Sequence, residues 1–160
     1  MTDTLQRTTP LAVSDLAARA VSLSHVVPER AGQLARSPRE RTSLCLLATD
    51  EYDAWLLHWP VSTSVTPHDH GESAGAFTVV SGELTEVRWH GFVRRARLLV
   101  PGEVVAVPAG VVHDVIAPGP SPALSVHVYS PPLREMGFYD ASGRELIDRQ
   151  AVSPAPVTDS

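Results

Sequence analysis

The spacing of hydrophobic positions changes a quarter of the way along the chain. From Ser14 apolar residues recur at roughly helical intervals, at Leu16, Ala20, Leu23 and Val27. This spacing predicts a helix with Ser14 as its N-cap and Pro28 as its stop, because serine caps helices and proline cannot continue them. A second short helix is expected over Glu29 to Ala35.

Beyond Arg41 the apolar residues lie in short runs that are rich in β-branched and aromatic side chains and are separated by turn signals such as Pro101-Gly102. These runs predict eight strands, at 43–48, 54–59, 76–80, 84–89, 96–100, 103–107, 111–117 and 124–129. Short strands without long helices between them are typical of an antiparallel sandwich or barrel. Because the runs are apolar on both faces, we expect an all-β barrel that encloses a site and is covered in part by the N-terminal helices.

A chain of 160 residues is predicted to form one domain. We expect a single domain over 11–149, with helices in 11–36 and the barrel in 41–132. Residues 1–10 are polar and 150–160 are rich in Pro, Ala and Ser, so both are predicted to be flexible tails.

Charge and composition exclude several classes of partner. The net charge is -5, which argues against a nucleic-acid surface, and no apolar run approaches the roughly 20 residues that span a bilayer. The basic stretch Arg94, Arg95 and Arg97 is interpreted as a solvated face. With Cys45 as the single cysteine and no secretory signal visible, we expect a cytoplasmic protein without disulfides, as a monomer or weak homodimer.

Three histidines form the candidate metal site. His68 and His70 are two residues apart, so on a strand their rings point to the same face. His113 begins a later predicted strand that is able to pair near the first. Three neutral imidazoles suit iron, nickel or zinc and leave coordination positions open for a substrate.

The segments around these histidines resemble the two motifs of the cupin superfamily. The His68–His70 pair and the hairpin ending at Gly82 resemble the first motif, and GEVVAVPAGVVH, ending at His113, resembles the second. The resemblance implies a cupin double-stranded β-helix, or jelly roll. Many cupins add a glutamate ligand seven residues after the first histidine, where this chain has Gly75; Glu72 is the nearest alternative. We expect three protein ligands, all histidines.

A three-histidine cupin followed by SVHVYSPPL resembles the cysteine dioxygenase family of thiol dioxygenases. The resemblance implies that Ser125, His127 and Tyr129 form a hydrogen-bonded relay beside iron(II). Strand alternation places the three on one face, as a relay needs. On the residues alone, without the cupin motifs, His127 and Tyr129 are interpreted as barrel-filling side chains with satisfied polar ends.

The same resemblance implies that an arginine upstream binds the substrate carboxylate. Arg41 is the predicted residue, with Arg39 and Arg36 as neighbours in a shifted register. In this family an arginine accompanies cysteine as substrate, and a glutamine accompanies mercapto acids. Animal members have a cysteine cross-linked to the relay tyrosine; Gly75 stands at that position here, as in bacterial members.

The predicted function is therefore that of an Fe(II)-dependent dioxygenase that converts L-cysteine and O2 to cysteine sulfinic acid. Two alternatives remain open at this point. One is dioxygenation of another small thiol such as 3-mercaptopropionate. The other is a non-redox metal-binding cupin, either a sensor or an isomerase.

Overall fold

Two antiparallel sheets face each other in the computed structural model, which describes residues 9–153. The described chain contains eleven strands: β1 Thr42–Ala48, β2 Asp53–Trp59, β3 Ser64–Asp69, β4 Ala74–Ser81, β5 Leu84–His90, β6 Val93–Leu99, β7 Val104–Val107, β8 His113–Ile116, β9 Ala123–Ser130, β10 Glu135–Tyr139 and β11 Leu146–Ala151. One sheet has the order β1-β2-β9-β4-β7 and the other β11-β10-β3-β8-β5-β6. The expected all-β architecture is confirmed.

Two apolar clusters explain why the strands are hydrophobic on both faces. The first lies between the sheets and includes Trp59, Phe77 and Leu99. The second lies on the outer face of the five-stranded sheet, where Val126 and Val128 of β9 pack with the N-terminal helices. Alternation along β9 therefore directs Ser125, His127 and Tyr129 toward the barrel interior.

The helices are α1 Val13–Ser24 and α2 Val27–Arg30, followed by a 3-10 turn at Ala31–Gln33. The prediction of Ser14 as N-cap is wrong: Ala12 occupies that position, and its carbonyl accepts hydrogen bonds from the amides of Asp15 and Leu16. Burial of Leu16 and Ala20 against the sheet sets the phase of α1, without a side-chain cap. Helix α1 ends at Ser24, so Pro28 does not stop it; Pro28 is the second residue of α2, since proline suits the first turn of a helix.

The expected end of the barrel at residue 132 is also wrong, because β10 and β11 continue the six-stranded sheet. Gln150 and Ala151, assigned to a flexible tail, pair with Met136 and Glu135 in this hairpin. All six residues of β11 are exposed, so the strand has no hydrophobic alternation that the sequence would reveal. The remaining tail predictions, at 1–8 and 154–160, lie outside the described residues.

Strand β6 lies at one edge of the six-stranded sheet, and Arg94, Arg95 and Arg97 are exposed there. This agrees with the interpretation of a solvated face. Among residues 9–153, no helix has the length and hydrophobicity needed to cross a membrane.

Candidate metal centre and substrate cavity

Pairing of β3 with β8 brings the three histidines together. His68 and His113 are direct partners in the ladder, and His70 follows β3 by one residue. One nitrogen from each ring lies within 4.8 Å of the others, and all three residues are buried. The described residues therefore contain a three-histidine metal-binding site at the position predicted from the sequence.

Hydrogen bonds on the far side of two rings orient them toward the common centre. The Nδ1–H of His68 donates to the carbonyl of Thr66 at 2.8 Å, and that of His113 donates to Glu86 Oε2 at 3.0 Å. Both rings consequently present Nε2 as a free lone pair. A carboxylate or carbonyl behind a metal-ligating imidazole fixes its tautomer and increases its basicity.

Burial keeps two of these imidazoles neutral. It lowers the pKa of His68 to about 3, with a further contribution from the nearby His113, and it lowers the pKa of His70 well below its usual value. Neutral imidazoles are the form that binds metals. Burial alone would raise the pKa of Glu86, but the hydrogen bond from His113 and the Arg88 charge outweigh it, so the carboxylate stays ionised.

The donor set fits a divalent transition metal. His70 Nε2 lies 3.4 Å from His113 Nε2, and the latter already carries a lone pair because its other nitrogen donates to Glu86. A cation between the two nitrogens satisfies both. Glu72 is exposed and does not join the cluster, so within the described chain the ligand set consists of histidines only.

Gly75 lies directly opposite Tyr129 in the β4–β9 ladder. A Cβ at this position would lie 3.0 Å from Tyr129 Cδ1, closer than side chains normally pack. Glycine at this position therefore permits the tyrosine ring to lie against the backbone of β4, where it approaches His70 with ring centroids 4.8 Å apart.

Ser125, His127 and Tyr129 form a continuous hydrogen-bonded chain inside the barrel. Ser125 Oγ is 2.8 Å from His127 Nε2, and Tyr129 Oη is 3.3 Å from His127 Nδ1. Burial lowers the pKa of His127 and raises that of Tyr129, so both side chains are neutral near pH 7. This series of hydrogen bonds includes one residue more than the predicted relay, because the Trp59 indole donates to Ser125 Oγ at 2.8 Å.

Among the arginines that the structure describes, Arg41 alone lines the cavity at the metal site; Arg36 and Arg39 lie elsewhere. Its guanidinium carbon lies 5.0 Å from the centre of the Trp59 ring, a cation–π geometry. Although the residue as a whole is exposed, desolvation of its charged end lowers the pKa of Arg41, while nearby Tyr129 acts to raise it. The guanidinium remains charged at any physiological pH.

The cavity has a volume of about 280 Å³, at the lower end of the usual range for small-molecule sites. The three histidines and Arg41 line it, together with His127 and Tyr129 of the relay. Apolar side chains from both sheets and the C-terminal segment complete its walls: Leu57, Val65, Val115, Leu133, Met136 and Val152. These side chains surround the metal site with apolar surface.

Sequence reasoning missed three residues that support this site, namely Trp59, Asp69 and Glu86. Asp69 lies between His68 and His70 in the sequence, and that position is a signal by which it could have been found. Its buried carboxylate points away from the cluster and accepts hydrogen bonds from Gly71 and Tyr139. The roles of Trp59 and Glu86 depend on strand pairing, and local spacing carries no sign of them.

Solved structures of low sequence identity share this fold. A Thermus thermophilus protein matches with a TM-score of 0.56 and 24% identity over 64% of this chain and 94% of its own. A Klebsiella pneumoniae protein with a double-stranded β-helix domain matches at 0.55 and 21%, over 82% and 89%. A cupin superfamily protein from Desulfitobacterium hafniense matches at 0.53 and 18%, over 62% and 85%. The cupin fold is thereby confirmed.

A model of one protein family also matches the chain, over residues 33–142. That segment contains the three histidines, Arg41 and the whole relay, and it amounts to well over half of the sequence. The protein therefore belongs to the cysteine dioxygenase type I family.

Proposed function

We propose that the protein is an iron(II)-dependent thiol dioxygenase that converts L-cysteine and O2 to cysteine sulfinic acid. The observation that carries the proposal is a three-histidine face that has no carboxylate ligand among residues 9–153 and that shares one cavity with a guanidinium and a tyrosine hydroxyl. Membership of the cysteine dioxygenase type I family supports the same reaction.

His68, His70 and His113 would hold iron(II) through three imidazole nitrogens and leave adjacent positions for ligands. Bound iron would supply acidification of the thiol and activation of O2, both atoms of which end on the sulfur. Cysteine is stable as a free thiol in a reducing compartment, so we also infer a cytoplasmic location. Gly75 supports assignment to the bacterial type of the family.

The chain's own residues bind and orient the substrate. Arg41 would grip the carboxylate with two parallel N–H donors, a geometry that a planar guanidinium provides. Tyr129, held by His127, would donate a hydrogen bond to the thiolate or to oxygen. The apolar walls exclude water, which strengthens both contacts.

Oxygen uptake by iron-loaded protein tests the proposal. We expect cysteine to be consumed with formation of cysteine sulfinic acid, and Arg41→Gln to lower kcat/KM for cysteine by about 10- to 100-fold, since a hydrogen bond to a charged group is lost. Arg39→Gln is the matched control, because Arg39 is exposed and lies away from the cavity.

Other outcomes separate the alternatives. Faster uptake with 3-mercaptopropionate than with cysteine, unaffected by Arg41→Gln, would assign another small thiol as substrate. No uptake with either thiol, in protein that purifies with zinc, would overturn the dioxygenase proposal in favour of a non-redox cupin.

A further inference from the structure

We propose that Trp59 is a positioning residue whose indole N–H anchors the Ser125 hydroxyl and directs the relay, so that Tyr129 donates its hydrogen into the cavity. The catalytic use of that hydrogen rests on the proposed function. The direction of the relay depends only on the chain's own residues.

Trp59 is fully buried at the end of β2, beside the barrel-facing side of β9. Its Nε1 lies 2.8 Å from Ser125 Oγ. An indole nitrogen donates a hydrogen bond and cannot accept one. Ser125 Oγ is therefore an acceptor at this contact, and its own hydrogen must find another partner.

His127 Nε2, at 2.8 Å, is the acceptor available to that hydrogen among the described residues. If His127 Nε2 donated instead, Ser125 Oγ would accept from both Trp59 and His127. The buried hydroxyl hydrogen of Ser125 would then stay unpaired, which is costly. The indole adds a second bias, because a hydroxyl that accepts one hydrogen bond becomes a stronger donor. His127 is thus expected to accept at Nε2.

A neutral imidazole that accepts at Nε2 carries its hydrogen on Nδ1. That Nδ1–H faces Tyr129 Oη at 3.3 Å, so Tyr129 is the acceptor in this contact. Its own hydrogen is then free to point into the cavity, toward the side occupied by His70. If these hydrogen bonds ran in the opposite direction, Tyr129 would donate its hydrogen to His127 and would have none for a bound ligand.

The ring face of Trp59 has a separate contact, with the Arg41 guanidinium. Trp59→Phe keeps an aromatic face for Arg41, removes the N–H and makes the buried ring smaller. Trp89→Phe is the matched control: it makes the same chemical change at a tryptophan that packs against Gly143, away from the cavity.

The relay direction is measured by NMR of the histidine nitrogens in labelled, zinc-loaded protein, which needs no enzymatic activity. We expect His127 to be protonated at Nδ1 in the native protein and in Trp89→Phe, and the Nε2-protonated form to appear in Trp59→Phe. Protonation at Nε2 in the native protein, or an unchanged tautomer in Trp59→Phe, would overturn the proposal.

Kinetics of the iron-loaded protein test whether Trp59 acts through Tyr129. We expect Trp59→Phe to lower kcat by about fivefold, the effect of one ordinary hydrogen bond, with little change in KM for cysteine. In a Tyr129→Phe background the same substitution should have no further effect. An equal loss in that background would show that Trp59 supports the site in another way and would contradict the positioning role. Absence of activity in the native protein would reject the proposed function and leave the NMR result standing.

Discussion

Glu86 shows how one buried side chain prepares the metal site. Its carboxylate accepts from His113 Nδ1 at 3.0 Å and from Arg88 at 3.1 Å, so it is ionised although it is buried. It directs His113 Nε2 toward the other two rings. A glutamine at this position would keep the shape but lose the charge that increases the basicity of the imidazole.

We therefore predict that Glu86→Gln weakens metal binding by about 10- to 100-fold, the usual effect of changing a residue behind a metal ligand. Competition with a chromophoric chelator measures the affinity. Glu145→Gln, at an exposed carboxylate, is the control and should bind as the native protein does. Equal affinities for the two variants would contradict the role of Glu86.

Asp53 is a second buried carboxylate, and its hydrogen bonds are weaker than those of Glu86. Burial raises its pKa, and the hydrogen bond from the Leu133 amide at 3.2 Å only partly opposes the shift. A carboxyl group with a raised pKa in the fold stabilises the protein fully below its ordinary pKa of about 4. That contribution is lost as pH rises through the folded-state pKa.

Asp53→Asn should therefore unfold at a higher temperature than the native protein at pH 7. The difference should shrink as pH falls below about 4, where both chains carry a neutral group at this position. Thermal denaturation across this pH range measures it, with the exposed Asp50→Asn as control. A variant that is less stable at pH 7 would show that the charge of Asp53 is needed.

At the scale of elements, the hairpin β10–β11 is joined by hydrogen bonds to β3, the strand that contains the metal ligand His68. Asp69 of β3 accepts from Tyr139 Oη at 2.6 Å and from the Gly137 amide at 3.2 Å, both on β10. Arg149 of β11 contacts the same carboxylate at 3.3 Å. Because β11 is exposed along its whole length, its ladder with β10 and the contact of Arg149, and not burial of apolar side chains, hold it in the sheet.

We predict that Asp69→Asn lowers the free energy of unfolding by about 1.5–3 kcal/mol, because hydrogen bonds to a charged acceptor are lost. Amide hydrogen exchange should increase in β10 and β11 more than in β4 and β9. Urea denaturation and hydrogen exchange measure the two effects. Arg149→Met should cost less in the Asp69→Asn background than alone, and additive effects would contradict a direct contact.

Strand prediction succeeded at the hydrophobic runs, including the exposed β6, and missed β3, β10 and β11. Strands β1, β2, β4, β5, β7, β8 and β9 lie close to their predicted positions, because each packs at least one apolar face. The hairpin β10–β11 was missed because its strands are short, β11 is exposed along its whole length, and the pairing partner β3 lies about 70 residues earlier. Long-range pairing of this kind leaves no local pattern.

At the scale of the whole molecule, the two sheets meet at the metal site, so metal binding and folding should be linked. The β3–β8 pair supplies the three histidines in one sheet, and β2 and β9 supply Trp59 and the relay in the other. A ligand that binds only the folded state stabilises it, by about 2.7 kcal/mol at a concentration 100 times its Kd.

Addition of iron(II) without oxygen, or of zinc, to metal-free protein should raise Tm by about 5–10 °C for a chain of this size. A chelator should reverse the increase. His68→Ala should abolish it, whereas Arg97→Ala, at the exposed edge strand, should leave it unchanged. An increase of the same size in His68→Ala would place the stabilising metal elsewhere.

Local patterns in the sequence determined which residue types form the site. Two histidines at strand spacing, a third after a turn and an alternating Ser-x-His-x-Tyr run are short-range features, and a residue spacing of two implies a common face in any strand. Tertiary structure decided everything that depends on which strands are neighbours. Pairing set Glu86 behind His113, Trp59 against Ser125, Gly75 beneath Tyr129 and the exposed β11 beside β10. Contacts between residues distant in sequence arise only when the sheets close, so they had to be read from the folded molecule.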